Sequence, residues 1–477
     1  MSNVRRSVLA VMAGSNAATV INFLSGLVLA RLLEPGEIGL FSMTAVFVGV
    51  MHTFRDFGVV SYLLREPDLT AEKVRSASGV LIACSSAIAI TMLLLSGPVS
   101  RFYGHPQVEQ IIQVLALGFF FIPLGSVTQS LLRREMEGGK LAAVTMFSAL
   151  VYAGSCIALA ASGFGHMSMA WANFINIIAG GLAYSYFRPK WQPWLPSLKG
   201  CGAIVRFGGV SAISNLLTNI HNALADTFLA RGTDARSVGL YSRANGLVEL
   251  FSQVIMPAVN NSALPALASS HRENASIAAD MIRIAVYISG LAWPILWVTA
   301  VFAHDMVAVL YGDKWLACLP LVSLLCISAA TRLPFSQTSN GLIAIGRPIL
   351  SVWTMGATII FKSVIAIASG AADMTAFVQA FVLGDLLVLP LMLAVWRLKF
   401  QVPLTTFARA MIPTLAVTAA CAVVCHGIDL LMTDMNSWLR LIATALIMSA
   451  TWVGSVFVLK HPLQQEVALI YKKIRRQ

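Results

Sequence analysis

Charge is what this chain has least of. Only 11% of its 477 residues are Asp, Glu, Lys or Arg, against roughly 25% in a soluble domain. So little charge cannot clothe a water-facing surface of this size, which excludes an ordinary soluble enzyme. Long polar segments are missing too. No stretch outside the apolar runs exceeds about 20 residues, which leaves no room for an extramembrane catalytic domain. No Gly-rich loop ends in Lys-Ser or Lys-Thr, which excludes an ATPase engine of the P-loop kind. The seven cysteines mostly sit inside apolar runs, as Cys84, Cys156, Cys326, Cys421 and Cys425 do. None has metal-ligand spacing with histidine, and they imply no disulfide framework. Cys421 and Cys425, four apart, read as packing residues. No metal, cofactor or nucleophile motif stands out, so none is expected.

What the chain has is hydrophobic length. Apolar residues make up 57% of it and its mean hydropathy is +0.78. A bilayer core needs about 20 apolar helical residues. Fourteen segments meet that test: 8–33, 37–64, 76–99, 108–132, 141–164, 167–187, 204–230, 238–262, 277–302, 316–343, 349–369, 374–396, 407–428 and 438–459. Helices are expected rather than a barrel, because each helix satisfies its own backbone in lipid. The first run is too long for the core of a cleavable signal peptide and reads as the first span.

The net charge of +12 could suggest nucleic acid, but the basic residues are sorted by side. With the N-terminus cytoplasmic, 23 Lys and Arg fall in cytoplasmic segments or at the cytoplasmic ends of spans, 5 on the opposite side and 5 deeper within spans, which accounts for all 33. That is the positive-inside pattern, and it puts both termini in the cytoplasm. The tail from His461 onward reads as a short basic helix on the anionic leaflet. Membrane lipids are therefore expected partners and nucleic acid is not.

The sequence also repeats. Ala30-Arg31, followed by Gly39-Leu40-Phe41-Ser42, returns 200 residues later as Ala230-Arg231 and Gly239-Leu240-Tyr241-Ser242. Six spans are thus followed by six related spans in the same orientation. The expected organisation is an N-terminal lobe at 1–195, a C-terminal lobe at 196–400, and two extra spans with a basic tail at 401–477. Paired lobes around a central cleft suit alternating access.

Polar residues within spans are costly in lipid and so mark a cavity or interhelical contacts. Span 7 carries Ser211, Asn215, Asn219, Asn222 and Asp226 at steps of 4, 4, 3 and 4, one face of one helix. Span 1 carries Ser15, Thr19, Asn22 and Gly26 at the equivalent positions. Span 8 adds Ser242, Asn245 and Glu249, and span 2 adds His52, Arg55 and Asp56. Ser and Thr alone suit interhelical contacts; the Asn/Asp stripe suits a cavity. Arg332, Lys362 and Asp385 fall near the bilayer midplane by their positions in spans 10, 11 and 12. Arg55, Arg243, Arg332 and Lys362 give four positive charges. Asp56, Asp226, Glu249 and Asp385 give four negative ones, so the cleft is not uniformly basic. Lys362 and Asp385 read equally well as a structural pair. Arg332 has no evident partner in the sequence, and its planar fork suits phosphate. The candidate substrate-binding set is therefore Arg332, Lys362, Arg55, Arg243, Asn22, Asn215, Asn219, Asn222, His52 and Asn245. The ion-coupling candidates are Asp226, Glu249, Asp385 and Asp56.

The run Ala30-Arg31-Leu32-Leu33-Glu34-Pro35-Gly36-Glu37-Ile38-Gly39-Leu40-Phe41-Ser42-Met43, continued by Phe54-Arg55-Asp56-Phe57-Gly58-Val59 and Leu64-Arg65-Glu66-Pro67-Asp68-Leu69-Thr70, resembles the polysaccharide transporter family. These are the Wzx-type flippases of the multidrug/oligosaccharidyl-lipid/polysaccharide (MOP) exporter superfamily. The resemblance implies an all-α polytopic fold of about 14 spans in a bacterial inner membrane. It implies flipping of an undecaprenyl-diphosphate-linked oligosaccharide for exopolysaccharide, O-antigen or capsule synthesis, alongside polymerase or co-polymerase proteins. It also draws attention to Asp226, because some relatives carry a cation site on that span. The competing readings are a lipid II-type flippase, which should have a more basic cleft, and a cation-coupled multidrug antiporter, which should favour acidic and aromatic residues. A non-transport scaffold of a polysaccharide assembly complex would not need intramembrane charge.

Overall fold

The computed structural model describes residues 2–55, 59–193, 195–199, 201–202, 232–273, 276–370 and 373–474. The expected span 7 lies outside them, and with it Asn215, Asn219, Asn222 and Asp226; Asp56 does too. The described residues are helical nearly throughout, in two compact units, Met1–Gly239 and Leu240–Gln477. Among them, nine helices are long and apolar enough to cross a membrane, and one bent pair makes up to ten. This is a multi-pass membrane protein.

The first unit holds α1 (Ser2–Leu32), α2 (Pro35–Arg55), α3 (Val59–Arg65), α4 (Ala71–Tyr103), α5 (Pro106–Phe121), α6 (Pro123–Arg134), α7 (Gly138–Ala161) and α8 (Met167–Tyr186). Small residues set the seam between α1 and α7. A Cβ on Gly14 of α1 would lie 2.7 Å from the Ala142 Cβ of α7. At the end of the same seam Ser7 Oγ accepts the Gly138 N–H at 2.9 Å. The face of α1 that meets α7 buries Ala18, Ser25 and Leu29, so the Ser15 and Asn22 stripe points away from that seam and is exposed.

The fourth expected span, 108–132, is not one straight helix. It is α5 and α6, bent by 53° at Ile122-Pro123. Proline has no N–H to continue the ladder, and its ring clashes with the preceding turn. The 200-residue repeat has a physical counterpart in the first unit. A Cβ on Gly39 would sit 1.7 Å from the Ala235 carbonyl oxygen, and one on Gly239 would sit 1.9 Å from that of Pro35. The repeated glycines let two backbones meet where any side chain would separate them.

The second unit holds α9 (Ala235–Arg272) from its second turn onward, α10 (Ile277–Val301), α11 (Ala303–Leu310), α12 (Leu319–Arg332), α13 (Thr338–Ala344), α14 (Pro348–Ala368), α15 (Met374–Lys399), α16 (Leu404–Leu431), α17 (Ser437–Val458) and α18 (Leu463–Ile474). The expected tenth span, 316–343, is one span, Asp313–Ala344, whose α-helix is interrupted. A 3₁₀ turn at Leu333–Phe335 containing Pro334 follows α12, and α13 resumes at Thr338. The two extra helices dock through a buried ion pair. Arg440 Nη1 lies 2.9 Å from Asp305 Oδ2, the Ser437 hydroxyl donates to Asp305 Oδ1 at 2.9 Å, and the guanidinium stacks 5.0 Å over Phe302. Cys421 and Cys425 are buried against Phe302, Val417 and Ile428 as packing residues. The tail forms α18 as expected.

Candidate functional site

Four charged residues of the second unit are drawn together from four helices, α9, α12, α14 and α15. Arg332 closes α12, one residue before Leu333-Pro334. Lys362 lies about two thirds of the way along α14 and Asp385 near the middle of α15. These two helices approach because residue 384 is glycine: a Cβ there would already stand 3.2 Å from Lys362 Cγ. Lys362 and Asp385 then form a direct ion pair, with side chains only 5% and 2% exposed. The Lys362 Nζ lies 4.8 Å over the ring of Phe381, one turn before Asp385 on the same face. The Ser328 hydroxyl donates to Asp385 Oδ2. A carboxylate so enclosed must be paired, because an uncompensated buried charge is prohibitively costly.

Arg332 is not the unpartnered cation that the sequence suggests. Its Nη2 donates to Glu249 Oε1 at 3.0 Å, and its Nε stands 3.9 Å from Asp385 Oδ2. Glu249 lies on α9, 83 positions earlier in the chain, and no local pattern could have announced the pair. The contrast in exposure is the informative feature. The Lys362–Asp385 pair is sealed, whereas the Arg332 side chain is 42% exposed and Glu249 25%. The four formal charges cancel, two and two. What remains accessible is a guanidinium with donors left over beyond its bond to Glu249.

The other candidates divide. Asn245 lies one turn before Glu249 on α9 and is half-buried. Arg243 packs 5.9 Å over Tyr311 and 5.8 Å over Trp315, both buried rings, which is a cation–π packing role. In the first unit the Nη1 of Arg55 and the Nδ1 of His52 stand 3.1 Å apart, and the His52 ring packs 4.6 Å from Phe119. Asn22 is exposed on α1. Among the described residues, no cluster of His, Cys, Asp and Glu could hold a metal ion. Sequence reasoning missed Ser328 and Phe381, which complete the Lys362–Asp385 pair; the spacing of Phe381 and Asp385 by four was the available signal.

The family described as polysaccharide biosynthesis protein matches residues 28–320 of this chain. The chain is 23% identical over 326 residues to the lipopolysaccharide biosynthesis protein WzxC of Escherichia coli (strain K12), covering 67% of this chain and 66% of that one. It is 24% identical over 339 residues to the succinoglycan biosynthesis transport protein ExoT of Rhizobium meliloti (strain 1021), covering 70% and 67%. Among solved structures, the lipid II flippase MurJ in an inward closed conformation superposes with a TM-score of 0.74 over 95% of this chain and 99% of that one, at 12% identity. That likeness is one of fold.

Proposed function

The chain belongs to the polysaccharide biosynthesis protein family, and from that premise we propose that it is a flippase for a lipid-linked oligosaccharide. It carries the diphosphate-linked sugar from the cytoplasmic to the periplasmic leaflet of an inner membrane. Two six-span lobes, 1–195 and 196–400, rock around a central cleft, both termini stay cytoplasmic, and a polysaccharide polymerase or co-polymerase receives the product. The names of WzxC and ExoT support the substrate class. The observation that carries the reading is the half-exposed Arg332 guanidinium, held by Glu249 beside a sealed Lys362–Asp385 pair.

The chemistry follows from that arrangement. A diphosphate entering the site competes with Glu249 for the guanidinium and can accept two parallel hydrogen bonds from it. Lys362 keeps Asp385 neutralised, so that carboxylate neither repels the substrate nor captures Arg332. Glu249 re-forms its bond when the diphosphate leaves, which resets the site. Charges that cancel without substrate favour release as well as capture. They also argue against a strongly basic cleft of the kind a lipid II-type flippase would be expected to have. Coupling to an ion gradient stays with Asp226, Glu249, Asp385 and Asp56 as candidates.

The test is direct. Arg332→Ala should stop export of the cognate polysaccharide and cause the lipid-linked intermediate to accumulate, with normal protein in the membrane. Arg332→Lys should recover only part of the export, because the bidentate fork is lost. Full export by the Ala variant at normal expression would refute the role.

A further inference from the structure

A cleft of about 490 Å³ opens where three loops of the first unit meet. It lies within the size range of ligand pockets. Its walls come from the α3–α4 loop (Asp68, Thr70), the end of α6 (Arg134, Glu135) and the segment after α8 (Trp191). All three connections belong to the side richest in Lys and Arg, the cytoplasmic side in the proposed orientation. The walls are built rather than loose. Arg134 donates to the carbonyl oxygens of Leu63, Glu66 and Pro67, two of these bonds being 2.8 and 3.1 Å long. Lys73 pairs with Glu66 at 2.6 Å and donates to the Asp68 carbonyl at 2.9 Å. Trp191 is positioned by its neighbour. Gln192 accepts from the buried Thr128 hydroxyl at 3.0 Å, and its carbonyl accepts from Arg188 at 2.9 Å.

Lys73 and Arg134 are spent on Glu66 and on backbone carbonyls. Asp68 and Glu135 are exposed and, among the described residues, carry no ion pair. Trp191 is 45% exposed, with an apolar ring presented to the cleft. An aromatic plane beside two unpaired carboxylates and a threonine hydroxyl suits one kind of ligand. A pyranose offers an apolar face of C–H groups to the indole and a rim of hydroxyl donors to the carboxylates. A phosphate offers neither.

We propose that this cleft is a glycan subsite, taking the neutral or amino-sugar part of the substrate on the cytoplasmic side. The inference rests on the flippase reading and deepens it. The diphosphate belongs to Arg332 in the second unit, and the sugar is read separately by the first. A glycan rich in uronic acids is disfavoured by Asp68 and Glu135.

The probe is the free oligosaccharide released by mild acid from the lipid extract of a deletion strain. Its binding to the full-length protein in detergent is measured by calorimetry, with inorganic pyrophosphate as competitor. The wild type should bind the glycan, and pyrophosphate should not displace it. Trp191→Ala and Asp68→Asn, both at exposed positions, should weaken binding roughly tenfold. Arg332→Ala should bind the glycan as the wild type does. No glycan binding by the wild type, displacement by pyrophosphate, or unchanged binding by both cleft variants would overturn the proposal. Translocation of the intact lipid-linked substrate in proteoliposomes is measured in parallel. A wild type that flips it but does not bind the free glycan defeats this subsite alone. A wild type that does not flip it defeats the flippase reading.

Discussion

Lys362 shows how a buried residue can govern a site it does not face. Its ammonium is sealed between Asp385 and the ring of Phe381, so its part is to settle the charge of Asp385. Remove the lysine and Asp385 is left buried beside Arg332, whose Nε is already 3.9 Å away. The guanidinium should then swing to the carboxylate and leave the substrate. Breaking a buried pair from one side costs about 3–5 kcal/mol, whereas replacing both partners by apolar residues is often neutral. Lys362→Met should therefore lower thermal stability and abolish transport together. Lys362→Met with Asp385→Leu should restore folded yield and, because Arg332 is freed again, transport. Thermal unfolding of purified protein and export in cells read the two arms. A double variant no better than the single one would remove Lys362 from this positioning role. Recovered stability without transport would mean that Lys362 or Asp385 meets the substrate itself.

At the scale of the element, the C-terminal helix hangs on one histidine. His461 lies in the turn between α17 and α18 and is 1% exposed. Its Nδ1 accepts the Leu463 N–H at 3.1 Å, so the proton of the neutral ring is on Nε2, which donates to the Thr414 hydroxyl at 3.0 Å. Gly290 makes the space: a Cβ there would lie 2.7 Å from the ring. Burial lowers the pKa of His461 from its usual value. The folded state therefore binds fewer protons than the unfolded one. The stabilisation is fully present above about pH 6.5 and is lost as the pH falls below it. Amide protection factors in residues 463–474, corrected for the intrinsic pH dependence of exchange, should be high at pH 7.5 and lower near pH 5, and His461→Phe should remove most of that difference. Equal protection of the wild type at both values would dismiss the latch.

The legibility of the sequence changes at the same scale. Run length and hydropathy gave the helices, since lipid permits little else. The breaks at Pro123 and Pro334 carried a signal in the prolines themselves, but apolar windows average over it. The pairing of Lys362 with Asp385 was legible as an open choice. The pairing of Arg332 with Glu249 was not, because two residues 83 positions apart meet only through tertiary packing. The cleft around Trp191 was invisible for the same reason: it is assembled from three short loops, none distinctive alone.

At the scale of the whole molecule, the sidedness of the chain decides what each site can do. The glycan cleft is useful only if the loops bearing Asp68, Glu135 and Trp191 face the compartment where the substrate is made. Positive charge is retained on the cytoplasmic side during insertion, and the 23-to-5 division of Lys and Arg in loops and at span ends is far from an even split. The same rule sets the orientation proposed for the two docked helices. In the proposed orientation Leu404 to Leu431 and Ser437 to Val458 would cross out and back, which would put the Arg440–Asp305 pair at the periplasmic end and α18 on the cytoplasmic side. Reporter fusions at Arg101, Arg236 and Met435 should signal periplasm, and those at Lys140, Lys199 and Gln477 should signal cytoplasm. Each reporter samples a different loop, so an odd error in the number of spans would appear as an inversion from that point onward. Inverted signals at two or more sites would overturn the orientation and move the Trp191 cleft to the periplasmic side, where it would meet the product instead.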